Sequence, residues 1–556
     1  MNSRKKLACA SALVLAAMLP LAAPLHAQDF QGSGSEEAEA DGAPRSGRSV
    51  RVDPYIEANT IANWQISPES DVLTYTQLAA GVDTSIQGRN NGLAASVRYE
   101  RNFAHQSDGA DSDSLSGIVR GYASVVPNVL TVEAGALANR TSVDGSGRST
   151  IAPFAADDLT TQTYSVYAGP TLQTQAGPVE VSANYRIGYT RVEAPEIVTA
   201  SGQAVDIFDD SVSHSANVRA GIAPGWAGLP VGVGVGAGYY QEDVSNLDQR
   251  VRDAYVRGDV TVPVSPTLAF VFGAGFEDVE VSSRDAVRDA DGNPVIGSDG
   301  RYVTDETSPR VIAYEADGLI WDVGVMWRPS SRTQLQATFG HRYDSETFYG
   351  SFTWTPSSRS TFGIGVYDGI QGFGGRLNNA LAALPTDFSV VRDPVTGDIT
   401  GCVNSFDGSG CIDGVLGSVR SSVFRGRGVA LSYTHQMGRT VAGIGAGYDR
   451  RRFIGAPGTP LALADGIVDE SVYVSANLAG PLGRGNYSLN TYANWFESGA
   501  GALGDAFALG TSASYSEQVW RNLSARAAVA LSMLDAEAAP DEVVTASALL
   551  GLRYDF

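Results

Sequence analysis

Apolar and polar side chains alternate along most of the chain from Val52 onward. Because a β-strand directs successive side chains to opposite faces, this period of two predicts strands. In segment 543–556 one face is apolar and comprises Val544, Ala546, Ala548, Leu550, Leu552, Tyr554 and Phe556. The other face carries Thr545, Ser547, Gly551, Arg553 and Asp555. Segments 179–192, 333–344 and 487–495 repeat the pattern, which predicts an all-β fold.

The connections between these strands alternate between two kinds. Tight turns such as GRNNG (88–92), PSSR (329–332) and GRG (483–485) form one kind. Nearly all the long segments form the other, and they are 144–160, 195–210, 282–316, 373–421 and 455–470. An up-and-down outer-membrane barrel gathers short turns at one rim and long loops at the other, whereas a soluble sandwich has no reason to do so. The alternation therefore predicts a transmembrane, antiparallel β-barrel of about 22 strands, within a range of about 18–22.

The polar strand faces carry charges that are costly in a dry core unless they are paired, and a wet lumen removes that difficulty. The charges expected on the lumen side are Arg98, Glu100, Arg186, Arg257, Asp259, Arg342, Asp449, Arg451 and Arg553. Paired across facing strands, they would form a ladder that sets solute preference. Alternatively, they only satisfy one another and rigidify the wall, and both interpretations stay open here.

The composition fits such a barrel. Charged residues make up 18% of the chain, below the typical share of about 25%. Beyond residue 27 no apolar run reaches the roughly 20 residues that a membrane helix needs, whereas alternating strands escape hydropathy counting. The net charge of −22 disfavours a nucleic-acid partner. An acidic surface can share divalent cations with lipopolysaccharide, although solubility alone explains the charge equally well.

The N-terminus predicts export. Arg4, Lys5 and Lys6 precede an apolar stretch at 7–21, and Leu-His-Ala at 25–27 fits a cleavage site, so residues 1–27 are interpreted as a signal peptide. A retained anchor helix is the alternative. Residues 28–50 are rich in Gly, Ser, Glu and Ala and predict a flexible, acidic periplasmic leader, too short for a plug domain. Residues 51–556 are expected to form the barrel.

The last strand also suggests partners. Its terminal aromatic residues, Tyr554 and Phe556, resemble the signal by which the outer-membrane barrel assembly machinery recognises its substrates. The expected location is therefore the cell outer membrane, in contact with its lipid and lipopolysaccharide.

The longest loop contains Cys402 and Cys411 within GCVNSFDGSGC. The periplasm and the cell surface are oxidising, so a disulfide is predicted, and two thiolates without a neighbouring histidine make an incomplete zinc set. The same loop contains LNNALAALP (377–385), a candidate short helical turn. Because so wide a barrel needs narrowing, either this loop or 282–316 would fold inward. The alternative is that both extend outward.

Catalytic and metal motifs are sparse. Asp289, Asp291 and Asn293 resemble the start of an EF-hand loop, but the acidic twelfth ligand is missing and the sequence is ordinary turn chemistry. Neither a Gly-x-Ser-x-Gly elbow nor a His-Glu-x-x-His motif occurs. His341 near Asp344 and Ser345 is the one cluster that could assemble a site. We predict no enzyme, no cofactor and no metal site.

Two stretches carry a family resemblance. DPYIEANTIANWQISPES (53–70) and WRPSSRTQLQATFGHRYDSETFYGSFTWTPSSRSTFGIGVYDG (327–369), with their W-x-P-S-S-R turns, resemble the β-barrel porins found near exopolysaccharide loci. The resemblance spans most of the chain and is architectural. It implies an outer-membrane location and a part in polysaccharide export or surface assembly, and it carries over no catalytic residue. The cysteine-bearing loop departs from it.

These observations predict a porin-like channel that passes solutes passively or exports a surface polysaccharide. The alternative is an adhesin-like, surface-structural barrel whose lumen is closed by its long loops.

Overall fold

The computed structural model of the protein describes residues 49–68, 70–106, 111–143, 149–150, 160–193, 197–198, 204–205, 210–405, 410–412, 421–500, 504–537 and 541–556. The predicted signal peptide and the leader up to residue 48 lie outside these residues. Ser49 and Val50, which the sequence analysis assigns to the leader, belong to the first strand.

Twenty-two long strands form one antiparallel ring. In chain order they are β1 (Ser49–Ser67), β2 (Asp71–Gln87), β3 (Asn91–Ala104), β4 (Ser112–Val126), β5 (Leu130–Val143), β6 (Thr160–Ala176), β7 (Val179–Glu193), β8 (Asp210–Ile222), β9 (Gly232–Val244), β10 (Gln249–Ser265), β11 (Leu268–Ser283), β12 (Val311–Ser330), β13 (Thr333–Arg342), β14 (Ser345–Ser357), β15 (Ser360–Gln371), β16 (Phe424–Met437), β17 (Thr440–Phe453), β18 (Val468–Leu482), β19 (Gly485–Glu497), β20 (Ala506–Gln518), β21 (Leu523–Ala536) and β22 (Val543–Asp555). Each strand pairs with its neighbours in sequence, as an up-and-down barrel requires.

The ring is closed by its first and last strands. Tyr55 of β1 is paired with Asp555 of β22, and the register continues to Ser67 and Val544 with one irregularity. Closure pairs the backbone groups of the first and last strands with each other, so neither is left as a free sheet edge in the lipid bilayer.

The two faces of the wall differ as the alternation predicts. In β1, Ile56 is 48% exposed whereas its neighbour Glu57 is 4% exposed. In β22, Leu550, Leu552 and Tyr554 lie on the exposed side, and Ser547 is buried on the other. A closed barrel that is apolar outside and polar inside is the architecture that crosses an outer membrane. The fold prediction is confirmed, and the protein is an outer-membrane β-barrel.

The connections separate into two rims. One rim, called the turn rim, carries the connections 88–90, 127–129, 177–178, 223–231, 266–267, 331–332, 358–359, 438–439, 483–484 and 519–522. The opposite rim, called the loop rim, carries the long connections 144–159, 194–209, 284–310, 372–423 and 454–467. The predicted alternation is therefore confirmed. In outer-membrane barrels the long loops are extracellular, which assigns the loop rim to the cell surface.

Helical structure is confined to connections. The helix α1 (Phe373–Ala383) begins four positions before the predicted stretch 377–385. Short 3-10 turns occur at Trp226–Gly228, Asn246–Asp248 and Pro460–Ala464. None of the helices in the described part of the chain is long and apolar enough to cross a membrane.

The two longest connections behave differently. The connection 372–423, called the inward loop, contains α1 and a small sheet formed by Ser389–Arg392, Ile399–Asn404 and Gly410–Cys411, and it packs against the lumen side of the wall. The connection 284–310, called the rim hairpin, pairs Ala286 with Thr304 and packs on residues of neighbouring loops at the loop rim. Of the alternatives left by the sequence, one loop folds inward and the other stays at the rim.

Candidate functional site

Helix α1 docks on the lumen side of β4 to β7. Phe373, Leu377 and Leu381 are buried in one cluster with four wall residues, Ile118, Leu137, Tyr167 and Val192. These wall residues are apolar at positions where the lumen side is otherwise polar. The hydrophobic effect therefore holds the helix to one segment of the wall.

A polar contact fixes the rotation of α1. The amide side chain of Asn378 accepts a hydrogen bond from the Ser165 hydroxyl (2.9 Å) and donates to Thr190 (3.3 Å) and Ser213 (3.4 Å). Asn378 is 2% exposed. A buried amide satisfied by three different strands defines a single docking geometry.

The N-terminus of α1 is capped by the wall rather than by the helix itself. The carboxylate of Glu242 on β9 accepts hydrogen bonds from the backbone N–H groups of Gly372 (2.7 Å) and Gly375 (2.8 Å). α1 has no side-chain cap of its own at Gly372. A carboxylate at a helix N-terminus is stabilised by the unpaired N–H groups and the helix dipole.

The far end of the inward loop docks where the ring closes. Val395 is buried among Ile61, Tyr75, Ala528 and Leu549, from β1, β2, β21 and β22. Polar contacts surround this apolar insertion and consist of Arg526 to the Pro394 carbonyl (2.8 Å), Arg392 to the Ser116 hydroxyl (2.6 Å) and Arg140 to Asp398 (3.2 Å). The inward loop is thus anchored at two separate segments of the wall.

A cavity of about 520 Å³ remains beside α1. Residues 376–384 of the inward loop form one side of it, and residues of β8 to β16 together with Tyr473 of β18 form the other. Its charged lining residues are Arg219, Asp253, Arg257, Asp259, Asp322, Arg342, Asp368 and Arg376. Its tyrosines are Tyr240, Tyr255, Tyr343, Tyr349, Tyr367 and Tyr473. This cavity is the candidate functional site.

Strands β14 and β15 part beside this cavity. Their pairing runs from Gly350–Val366 to Trp354–Phe362 and resumes at Ser357–Ser360, and no register extends toward the loop rim. There Arg425 and Arg427 both bind Asp368 and donate to the Glu346 carbonyl. Side chains thereby satisfy backbone groups that the ladder leaves open.

All of the charges predicted to face the lumen do so, and each is paired. Arg98 contacts Glu57 and Glu100, Arg186 contacts Glu133, and Arg451 contacts Asp449. Arg257 contacts Asp259 and Asp322, Arg342 contacts Asp253 and Glu277, and Arg553 contacts Asp555. Such pairing is common to both interpretations, the ladder that sets solute preference and the rigidified wall.

Only some of these residues line the cavity. Arg257, Asp259 and Arg342 do. Arg98, Glu100 and Arg553 surround the docked end of the inward loop, Arg186 reaches Asn379 of α1, and Arg451 lies over the ring of Phe424. Sequence reasoning missed the six tyrosines and Arg376. Five of the tyrosines lie on polar strand faces, whereas Tyr343 is in the connection between β13 and β14 and Arg376 is in α1. The sequence does not show which strands face the loop.

The predicted disulfide fits the backbone. Cys402 and Cys411 are directly opposite each other where two antiparallel strands of the inward loop pair. Opposite residues in such a pair have Cα separations that a disulfide can span. Their side chains lie outside the described residues, and the disulfide stays a prediction.

The cluster at His341 and the EF-hand-like segment at 289–293 have structural roles. His341 lies on the outward face of β13, whereas Ser345 accepts a hydrogen bond from Arg425 and donates to the Tyr343 carbonyl. At 289–293 the backbone N–H groups of Asn293 and Asp291 bind the carboxylate of Asp289 and lower its pKa. No group of three metal-ligating side chains comes together within the described residues.

No family model and no curated protein matches the chain. Solved structures that are similar include the iron transporter FrpB of Neisseria meningitidis, with a TM-score of 0.40, 9% identity and coverage of 90% of this chain and 81% of that chain. The ferric-catecholate import receptor Fiu of E. coli gives 0.43, 9%, 91% and 82%, and the copper transporter OprC 0.38, 11%, 91% and 81%. Likenesses this distant indicate nothing about a substrate, and the fold rests on the strand pairing described above.

Proposed function

We propose that the protein is a passive outer-membrane channel for small hydrophilic solutes, narrowed by its own inward loop. The observation that carries the proposal is the cavity of about 520 Å³ that remains between α1 and the wall formed by β8 to β16 and Tyr473 of β18. Charged and tyrosine side chains line it, so water and polar solutes are favoured over lipid inside the barrel.

Barrel width explains why a narrowing element is needed. Porins of about 16–18 strands leave an open aqueous channel, and barrels of about 22 strands enclose a lumen wide enough to require a plug. In this protein the inward loop occupies the lumen as a plug would. It is anchored through α1 on one segment of the wall and through Val395 on another. A fixed constriction of this kind fits selective diffusion.

Two other functions are each favoured by one specific observation. The double anchoring of the inward loop favours a sealed, surface-structural barrel. The family resemblance favours export of a surface polysaccharide, for which an extended chain would have to pass beside α1. Both are distinguished from the diffusion channel by the measurements below.

The test is single-channel conductance of the refolded protein in planar bilayers, with heat-unfolded protein as the control. A variant in which 373–421 is replaced by a short Gly-Ser linker is measured in parallel. Stepwise current from the natural protein is expected, with larger steps from the variant. Current from the variant alone indicates a sealed barrel, and absence of current from both overturns the channel proposal.

Polysaccharide export is tested separately in a deletion strain. Loss of surface polymer with unchanged uptake of small solutes would favour export over diffusion. Normal polymer with reduced solute uptake is the result expected for the proposed channel.

A further inference from the structure

We infer that the cavity beside α1 binds a short neutral oligosaccharide, so that neutral sugars are the preferred solutes of the proposed channel. The inference rests on the proposed function, since it names the solute class of that same site. Three properties of the lining carry it: balanced charge, pairing of the arginines, and an abundance of tyrosine.

The charge of the lining is balanced. Four arginines and four aspartates face the cavity, and no lysine, histidine or glutamate does so among the lining residues. A channel that concentrates anions or cations relies on an excess of one sign of charge. This lining has no such excess, so its net charge selects neither anions nor cations over a neutral solute.

The lining arginines are engaged by carboxylates. Arg257 binds Asp322 through two parallel hydrogen bonds, both 2.6 Å long. Arg342 binds Asp253 (2.8 Å) as well as Glu277 (2.7 Å). An ionic ligand would have to break such a bidentate pair, which is unfavourable in a partly dehydrated site.

The same holds for the two remaining arginines. Arg219 lies 2.6 Å from Asp259, and Arg376 of α1 lies 3.5 Å from Asp449. Carboxylate oxygens and guanidinium groups held this way keep further lone pairs and N–H groups for hydroxyl groups of a solute. A polyhydroxylated ligand can therefore add hydrogen bonds without separating the pairs.

Tyrosines supply the surface for the sugar rings. Six tyrosines line the cavity. The guanidinium of Arg342 already lies over the ring of Tyr255 (4.8 Å), whereas Tyr349, on the wall that faces α1, is half-buried and is the tyrosine assigned to the ring of a sugar. A tyrosine offers an apolar ring together with a polar hydroxyl. A pyranose ring is similarly divided, with C–H groups on its faces and hydroxyls at its rim, so the two surfaces are complementary.

The helix side of the cavity is less polar. Ala380, Ala383 and Leu384 border it beside Asn379 and Arg376. The volume of about 520 Å³ lies within the range of about 300–1,000 Å³ of small-molecule sites. The site therefore suits a short oligosaccharide rather than a single ion.

Isothermal titration calorimetry of the folded barrel in detergent tests the inference. Maltotriose is the neutral probe, and triglycine and trigalacturonate are zwitterionic and anionic probes of similar length. Saturable binding of maltotriose is expected, with binding of the other two at least about tenfold weaker. Equal or tighter binding of either charged probe would overturn the assignment to a neutral sugar.

Variants locate the binding. The variant Tyr349→Leu is expected to weaken maltotriose binding about tenfold. Tyr99→Leu, at an outward position on β3, is the matched control and should bind as the natural protein does. Asp322→Asn should release part of Arg257 and raise the affinity for trigalacturonate. Heat-modifiable gel mobility confirms that each variant is folded.

Conductance on the same preparations separates the two proposals. Ion current without saturable maltotriose binding overturns the sugar assignment and leaves the channel. Maltotriose binding without ion current overturns the channel and leaves the binding site.

Discussion

Two parts of the lumen wall carry different side chains, and the difference explains where the inward loop docks and where the cavity lies. The loop-bound wall, formed by β1, β2, β4 to β7, β21 and β22, carries apolar residues on its inner face, and these contact the inward loop. The cavity wall, formed by β8 to β16 and by Tyr473 of β18, carries tyrosines and paired charges toward the cavity. Its apolar cluster lies on β10 to β12 and β15 and includes Val423 at the end of the inward loop. Apolar residues on the inner face of this barrel thus mark where the inward loop docks, whereas paired charges occur both beneath the loop, as in Arg98 with Glu57, and beside the cavity.

The energetic difference follows from burial. Leu377 and Leu381 are fully buried against the loop-bound wall, and complete burial of a leucine stabilises by about 1.5–3 kcal/mol. The ion pairs of the cavity wall contribute less, because the cost of removing charges from water offsets much of their attraction. The loop-bound wall therefore holds the loop, whereas the cavity wall is free to face a solute.

The largest effect is expected from a charge placed in the loop-bound wall contact. In Leu377→Asp an unpaired carboxylate would be buried among apolar side chains, at a cost of several kcal/mol, so α1 should leave the wall. Channel conductance should rise toward that of the loop-replacement variant. Leu463→Asp, at a position that is 87% exposed, is the control. A conductance unchanged by Leu377→Asp would contradict the docking of α1.

A smaller effect is expected at the second anchor. Leu549→Ala removes a buried side chain that contacts Val395, and such truncations cost about 2–5 kcal/mol. Its neighbour Leu550 is 69% exposed on the lipid side, so Leu550→Ala is the matched control. Limited proteolysis near residue 395 from the loop rim is the measurement. Equal cleavage in both variants would show that the anchor does not depend on this contact.

Glu242→Ala is expected to have a moderate effect. It removes the acceptor for two backbone N–H groups of α1, which costs about 1–3 kcal/mol for buried donors left unpaired. Amide hydrogen exchange at Gly372 and Gly375 should accelerate while exchange in the strands stays constant. Glu242→Gln keeps an acceptor oxygen and should show a smaller acceleration. Amide exchange that is unchanged in both variants would show that Glu242 does not cap α1.

The smallest effect is expected from the cysteines. Cys402 and Cys411 should resist alkylation in the unfolded protein until a reductant is added. Because α1 and Val395 hold the inward loop independently of these residues, reduction should leave the mean conductance nearly unchanged and increase only its fluctuation. Alkylation of the unreduced protein would contradict the disulfide.

Much of the fold follows from local sequence, because an alternating strand reports its own two faces. Alternation such as that of Leu552 and Arg553 identifies the two faces of a strand, and a tight turn such as PSSR (329–332) identifies one rim of the barrel. Neither observation requires knowing which strands are paired. The sequence did not show that the inward loop, rather than the rim hairpin, would fold into the lumen. The deciding signal was the exceptions to the alternation, such as Leu549 and Ile61 on an otherwise polar face, which become meaningful only when strands distant in sequence are brought together.

The cavity was less accessible to sequence reasoning for the same reason. Arg257 and Arg342 were predicted to face the lumen, but their partners Asp322 and Asp253 lie 65 and 89 positions away in the chain. Register between distant strands decides which charges are paired. Arg376 depends further on the path of the inward loop, which local patterns do not specify.

The seat of Val395 is built from the two ends of the ring, since it needs Ile61 and Tyr75 as well as Ala528 and Leu549. This site exists only once β22 has met β1. An unclosed intermediate therefore lacks the seat for Val395, whereas the contact of α1 with β4 to β7 does not depend on closure. Docking of Val395 accordingly depends on closure of the ring, and its arrival reports that the barrel has been sealed.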